Sequence, residues 1–171
     1  WTPDGKLLIV SMLDRCLLQF DGERHHVIAD LSALATGPCN DMVVDATGRA
    51  YVGNFGFDRH HGEAKRSTCI ARVDPDGRVV RAADDLVFPN GMVITPDGKT
   101  LIIGETFANR LTAFDIDFGP PGTITNPVLP APLTAYAATA GRICEMVVQA
   151  LAHLSRSPEV ACSGGNFTFM L

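Results

Sequence analysis

Three turns of the same plan recur in the first two thirds of the chain. They open the stretches TPDGKLLIVS from residue 2, DATGRAYVGN from residue 45 and TPDGKTLIIGE from residue 95. Each stretch has a Thr or Asp, a turn that ends in glycine, a basic residue and then an apolar run that favours a β-strand. The turn glycines Gly5, Gly48 and Gly98 are 43 and 50 residues apart. A repeat of this length suits units of about four short strands.

The segments between the turns support that count. CLLQFDGERHHVIAD at 16–30 and CIARVDPDGRVVRAADD at 69–85 each contain two β-rich runs around an acidic turn, and RLTAFDID at 110–117 begins the same way. We therefore predict an all-β partial β-propeller of about two and a half four-stranded blades. It comprises three strands of one blade, a second blade from about Asn40 to Asp84, and three strands of a third from about Asn90 to Asp117. A β-sandwich also has frequent turns, but the repeated turn sequence favours the propeller.

The composition changes after Asp117, so we divide the chain into a propeller part, 1–117, and a non-propeller tail, 118–171. The tail begins with a proline-rich stretch, and apolar residues at helical spacing predict a helix over 138–154. Its charged residues are only Arg142, Glu145, Arg156 and Glu159. Two explanations remain open, a divergent C-terminal extension or a change of reading frame. The second is favoured because the units stop in mid-blade and leave an open strand edge. Such edges also predict self-association.

Charge and composition exclude several classes of function. The formal net charge is −5, and nucleic-acid or anionic-membrane binding favours clustered Lys and Arg. No apolar run reaches the roughly 20 residues that span a bilayer, and the first residues have no export signal. The widely spaced cysteines predict buried free thiols and a cytoplasmic protein. They are Cys16, Cys39, Cys69, Cys144 and Cys162.

The stretch FPNGMVITPDGKTLIIGET at 88–106 joins a candidate ligand to a predicted hairpin. Asn90 stands at the start of the first strand, and an Asn-Gly pair alone would ordinarily be only a turn. Asn40 recurs at the matching place in the preceding unit, and amide oxygens suit a hard cation. Glu105, at the end of the second strand, is either a pocket residue that binds substrate or a residue that supports the sheet edge. His60-His61, near Asp58, is predicted to lie in a solvated loop.

Two segments resemble consecutive blades of the gluconolactonase, regucalcin and senescence-marker-protein family. They are PCNDMVVDATGRAYVGNFGFD at 38–58 and FPNGMVITPDGKTLIIGETFANRLTAFDID at 88–117, and the resemblance covers residues 1–117 only. It implies a six-bladed propeller that hydrolyses small-molecule lactones. It also implies one divalent cation in the axial pocket, with Ca²⁺ expected first and Zn²⁺, Mg²⁺ or Mn²⁺ as alternatives.

Carried over by residue, the resemblance makes Asn90 a metal ligand and Asn40 a substrate-binding or metal-binding residue. The family's glutamate ligand would precede Trp1, and its aspartate ligand belongs to a blade after Asp117. Pro38 lies near the place where some members have a substrate-binding arginine. Two neutral amide oxygens are half of a cation site, since carboxylates provide most of the attraction.

The expected chemistry is attack of a metal-activated water on a lactone carbonyl. Asp41 is the nearest acidic residue that could take the proton, although it is equally suited to bond to the backbone at the start of a strand. The resemblance therefore implies a fragment or a diverged member of a lactone hydrolase, which we expect to be weakly active or inactive alone. The alternative is a non-catalytic β-propeller module for calcium binding or protein interaction.

Overall fold

The computed structural model describes residues 1–116 and the backbone of residues 124–132. The described residues form three antiparallel sheets and contain no helix. The first sheet has the order β1 (Leu7–Ser11), β2 (Cys16–Phe20), β3 (His25–Asp30). The second is β4 (Cys39–Val44), β5 (Ala50–Asn54), β6 (Thr68–Val73), β7 (Val79–Leu86). The third is β8 (Pro89–Ile94), β9 (Thr100–Glu105), β10 (Arg110–Ile116), β11 (Ile124–Pro132).

The repeated turns form the same local structure. Each turn glycine has a positive φ, +83° at Gly5, +85° at Gly48 and +74° at Gly98, which glycine adopts without a steric cost. Its N–H donates to the carbonyl oxygen three residues earlier, as from Gly98 to Thr95 at 2.8 Å. The Thr or Asp that begins the turn also accepts a backbone N–H with its side chain, for example Arg49 N–H to Asp45 at 3.0 Å. The turns therefore set the starts of β1, β5 and β9.

The sheets pack face to face around two apolar cores. One core includes Leu8 and Leu17 of the first sheet with Val52 and Val73 of the second. The other joins residues of the second and third sheets, among them Tyr51, Ile70, Leu86, Leu101 and Ile103. Three successive sheets, each packed on the next, fit the blades of a propeller rather than the two layers of a sandwich. The predicted all-β, partial-propeller fold is confirmed.

The third sheet extends beyond the boundary drawn at Asp117. Strand β11 pairs antiparallel with β10 and completes a four-stranded sheet. The low charge and the prolines of this segment predict an irregular tail instead. β11 lies at the edge of the sheet, where one side of a strand needs no partner and proline is tolerated. The predicted helix over 138–154 lies outside the described residues.

Three cysteines fall within the described part of the chain. Cys16, Cys39 and Cys69 are buried and free, as predicted. Burial raises the pKa of the Cys39 thiol to about 12, so it packs as a small neutral side chain. Over residues 1–116 and 124–132, no helix is both long and apolar enough to cross a membrane.

Candidate functional site

The candidate site lies where the first strands of the second and third sheets meet. β4 and β8 contact each other, and each is the edge strand of its own sheet. Asn40 follows the first residue of β4, and Asn90 follows the first residue of β8. Both strands have a register shift at this point, between Cys39 and Met42 and between Asn90 and Met92. Such irregularities redirect side chains and are common beside functional sites.

The side chain of Asn40 reaches the backbone beside Asn90. Its Nδ2 donates to the carbonyl oxygen of Pro89 at 2.6 Å, whereas its Oδ1 is buried and has no hydrogen-bond partner within the described residues. A Cβ added at Gly53 would lie 2.7 Å from this Oδ1 and 2.8 Å from Cε of Met92. Gly53 therefore leaves the space that the Asn40 amide occupies. A buried acceptor without a donor is costly, so a ligand for Oδ1 would stabilise it.

The Asn90 side chain is half-buried and makes no hydrogen bond with the other described residues. Gly91 has a φ of +48° and no register partner in β9. The Asn90 amide is thus held on a bulged strand, and its polar atoms have no hydrogen-bond partner in the described part of the chain. The structure brings the two predicted asparagines into one neighbourhood.

Asp41 contacts the same backbone segment. Its Oδ2 accepts a hydrogen bond from the N–H of Gly91 at 2.7 Å. This contact favours the second role considered from the sequence, in which the carboxylate bonds to backbone at the start of a strand.

Glu105 is not directed toward the asparagines. It lies opposite Pro89 in the β8–β9 register, whereas Asn90 lies opposite Gly104, so the two side chains belong to opposite faces of the sheet. The Glu105 side chain is fully buried. Its carboxylate accepts from Val87 N–H at 2.7 Å, from Arg110 Nε at 2.6 Å and from the Thr112 hydroxyl. These contacts favour the sheet-supporting role.

The ion pair of Glu105 also affects its partner. The hydrogen bond from Arg110 to Glu105 holds the pKa of the guanidinium above its usual value. The carboxylate charge is compensated inside the sheet, so Glu105 has little capacity left for a substrate or a cation.

Four phenylalanines form an aromatic cluster at the strand ends beside the asparagines: Phe55, Phe57, Phe88 and Phe107. Phe55 and Phe88 stack with centroids 4.3 Å apart. The N–H of Phe55 donates to Pro38 at 2.8 Å, which ties the cluster to the segment that carries Asn40. Sequence reasoning did not assign this cluster. A usable signal was present, because each phenylalanine lies just before or after a strand.

The histidine pair lies in the exposed loop after β5. His61 Nδ1 is 2.6 Å from Asp58 Oδ2, and this hydrogen bond raises the pKa of His61. Within the part of the chain that the structure describes, no three His, Cys, Asp or Glu residues form a metal site. The solvated-loop assignment agrees with this geometry.

The donor set at the meeting of β4 and β8 is therefore two amide groups, with one carboxylate engaged to backbone. Amide oxygens are ligands for hard cations such as Ca²⁺ and Mg²⁺, and Asn40 Oδ1, which no described residue hydrogen-bonds, fits that chemistry. Two neutral oxygens bind such a cation weakly without carboxylates.

Comparison with known families gives a match over most of the chain. The model of the SMP-30/gluconolactonase/LRE-like region matches residues 1–136, which include β11.

Solved structures share the fold. A calcium-binding protein, regucalcin, from Agrobacterium tumefaciens is 29% identical, with a TM-score of 0.54 over 67% of this chain and 37% of its own. A gluconolactonase from Xanthomonas campestris is 22% identical, with a TM-score of 0.59 over 74% of this chain and 45% of its own. A periplasmic gluconolactonase from Pseudomonas aeruginosa is 16% identical, with a TM-score of 0.53 over 78% of this chain and 38% of its own. The chain spans less than half the length of each.

Proposed function

Since this chain belongs to the SMP-30/gluconolactonase/LRE-like family, we propose that it supplies part of the active site of a divalent-cation-dependent lactone hydrolase. The observation that carries the proposal is the buried Oδ1 of Asn40 beside the amide of Asn90, because neither has a hydrogen-bond partner among the described residues. A buried oxygen that lacks a hydrogen-bond donor, next to a second amide, is suited to bind a cation or a substrate group.

Asn90 and Asn40 would hold the cation, and Ca²⁺ suits their oxygens best. When bound, a divalent cation supplies Lewis-acid activation of the lactone carbonyl and of the attacking water. Carboxylates from outside the described residues would complete the site, because Glu105 is committed to Arg110 and Asp41 to Gly91.

The substrate would be a small-molecule lactone, a class that fits two relatives named as gluconolactonases. Asn40 would orient it, with Nδ2 fixed on Pro89 and Oδ1 presented to the ligand. The aromatic cluster closes the same end of the sheets and would limit the access of water on that side.

A second candidate is a calcium-binding module without catalysis. It is favoured by the contacts of the two acidic candidates, because Asp41 is bonded to Gly91 and Glu105 to Arg110, so neither is placed to take a proton from an attacking water. The relative with the highest identity given above, 29%, is named as a calcium-binding protein.

The test is a Ca²⁺ titration of the 171-residue chain, followed through the side-chain NH₂ signals of Asn40 and Asn90 by NMR. We expect both signals to shift on addition of Ca²⁺, and Asn90→Ala to weaken binding by about tenfold or more, as expected for the loss of a ligand. Asn109→Gly is the matched control, because it removes an exposed amide at a φ of +51° that glycine accepts. No shift at either asparagine at millimolar Ca²⁺ would contradict the cation site.

Hydrolysis of a lactone panel separates the two candidates. A lactonase shows turnover that a chelator abolishes and that Asn90→Ala removes, in the chain or in a longer protein that contains it. Ca²⁺ binding without turnover in either protein would favour the calcium-binding module.

A further inference from the structure

We propose that Asn40 and Asp41 form a clamp that positions Asn90, and that Asp41 is a positioning residue rather than the proton acceptor of the reaction. The role of the clamp in function rests on the proposed cation site. The clamp itself consists of two hydrogen bonds between the second and third sheets.

The two bonds of the clamp lie on either side of Asn90. Asn40 Nδ2 donates to the carbonyl oxygen of Pro89 at 2.6 Å, and the N–H of Gly91 donates to Asp41 Oδ2 at 2.7 Å. The residues before and after Asn90 are therefore both held by the neighbouring sheet. The backbone that carries the Asn90 amide has little freedom to rotate.

A regular strand could not make both contacts, because successive side chains point to opposite faces. The register shift between Cys39 and Met42 removes that restriction at Asn40 and Asp41. The irregularity in β4 thus directs two successive side chains to one partner strand.

The clamp also satisfies a donor that β8 leaves without a ladder partner. The β8–β9 register passes from Asn90 to Met92, so Gly91 has no partner in β9. Gly91 is half-buried, where an N–H without an acceptor is unfavourable, and Asp41 supplies the acceptor. The bulge that presents Asn90 is thus stabilised from the neighbouring sheet.

The role needs only a hydrogen-bond acceptor. An asparagine oxygen can accept the Gly91 N–H, but it cannot take up a proton from an attacking water. Asp41→Asn therefore separates positioning from general-base catalysis, and Asp41→Ala removes both.

The experiment follows amide hydrogen exchange and the Ca²⁺ titration by NMR in the 171-residue chain. The variants are Asp41→Ala and Asp41→Asn. Asp115→Asn is the control, because it removes one negative charge from an exposed position of β10. Exchange at Ile102, in β9, reports whether the sheet as a whole has loosened.

We expect Asp41→Ala to speed exchange at Gly91 by about tenfold or more, as for a lost hydrogen bond to a charged acceptor, with Ile102 unchanged. The Ca²⁺ response of the Asn90 side chain should weaken by a similar factor. Asp41→Asn should restore both to within about threefold of the wild type, and Asp115→Asn should leave both unchanged. Restored lactone turnover in Asp41→Asn would agree with positioning.

Two results would overturn the clamp. One is unchanged exchange at Gly91 in Asp41→Ala. The other is an Asp41→Asn variant that protects Gly91 yet loses Ca²⁺ response or turnover as fully as Asp41→Ala, which would assign Asp41 to the chemistry. If Asp41→Ala does not fold, Asp41→Asn becomes the test: an unprotected Gly91 N–H in that variant would overturn the clamp, and a protected one would support it. If Ca²⁺ moves neither asparagine, the proposed cation site fails, and the clamp is judged by Gly91 exchange alone.

Discussion

The second and third sheets share one backbone plan but place their buried charge at opposite ends. In the second sheet, the β4–β5 turn holds the ion pair of Asp45 with Arg49 at 2.6 Å. At the end of β5, the neutral Asn54 accepts from the hydroxyl of Thr68 at 2.7 Å. In the third sheet, the residue that begins the turn is the neutral Thr95, whose hydroxyl accepts from Thr100 N–H at 3.0 Å, and the buried carboxylate is that of Glu105 at the end of β9.

The last residue of β5 and the last residue of β9 both act as hydrogen-bond acceptors. Whether that acceptor is a neutral amide or a carboxylate depends on the side chains beside it. Asn54 and Glu105 both accept from a threonine of the third strand, Thr68 and Thr112. Only Glu105 has an arginine in hydrogen-bond contact. The contacts of the Glu105 carboxylate therefore favour a structural role at the end of β9, one of the two roles that the sequence left open.

The largest expected effect is that of Glu105→Ala. It leaves Val87 N–H and the Thr112 hydroxyl without their acceptor and removes the carboxylate partner of Arg110, which keeps its hydrogen bond to the carbonyl oxygen of Asp85. Each of these two donors left unsatisfied costs about 1–3 kcal/mol, whereas the Arg110 side chain is 38% exposed and water screens its charge, so the total should be about 3 kcal/mol. The corresponding Asn54→Ala should cost about 1–3 kcal/mol. Urea unfolding measures both, and an equal loss in the two variants would remove the distinction between the sheets. Glu105→Gln is the isosteric control and should fall between them.

At the turns, the larger loss of stability is expected in the second sheet and not in the third. Asp45 accepts from Thr47 N–H at 2.9 Å, from Arg49 Nε at 2.6 Å and from Arg49 N–H at 3.0 Å. Its replacement by Ala leaves a buried guanidinium without this carboxylate and should cost about 2–3 kcal/mol. Thr95→Ala removes a neutral acceptor of Thr100 N–H and should cost about 1 kcal/mol. A larger loss of stability in Thr95→Ala than in Asp45→Ala would contradict the comparison.

The buried Asp45 carboxylate also predicts that the stability of the fold depends on pH. Burial alone would raise the pKa of Asp45, but hydrogen bonds from Thr47 and Arg49 outweigh burial and lower the pKa below its ordinary 3.8. A lowered folded-state pKa stabilises the fold above the unfolded value, and this contribution is lost as the pH falls below it. We expect stability to decline below about pH 4 and the decline to be shallower in Asp45→Asn.

The control for that pH dependence is Asp97→Asn in the turn of the third sheet. Asp97 is exposed, and the hydrogen bond from Thr95 lowers its pKa. Because its surroundings are solvated, the slope of stability against pH should stay close to that of the wild type. A slope that falls as much in Asp97→Asn as in Asp45→Asn would show that acid sensitivity is not specific to the second sheet.

The smallest effect on stability is expected in the loops that follow β5 and β9. The loop over 55–67 in the second sheet carries the exposed pair Asp58–His61, whereas the loop over 106–109 in the third has no such pair. Asp58→Asn should lower the pKa of His61 in an NMR titration, since the Asp58 hydrogen bond raises it. The unfolding midpoint should not change measurably. A large loss of stability would show that this loop supports the sheet.

The sequence alone determined the local structure. The turn glycines, the apolar runs and their spacing predicted the strands and the repeated sheets, because these patterns act over a few residues. The same reasoning placed Asn40 and Asn90 at matching strand starts. It left open the role of Glu105 and ended the third unit before β11, since prolines conceal an edge strand from a pattern based on ladder donors.

Only the tertiary structure decided which polar groups are free. Asp41 meets Gly91 because two bulged edge strands lie side by side, and no local pattern specifies the residue that faces a bulge. The negative charge of Glu105 is compensated because the β9–β10 register places Arg110 opposite it. The amides of Asn40 and Asn90 became candidates for the same reason, since hydrogen bonding is completed between strands and sheets, and what remains unpaired depends on how they meet.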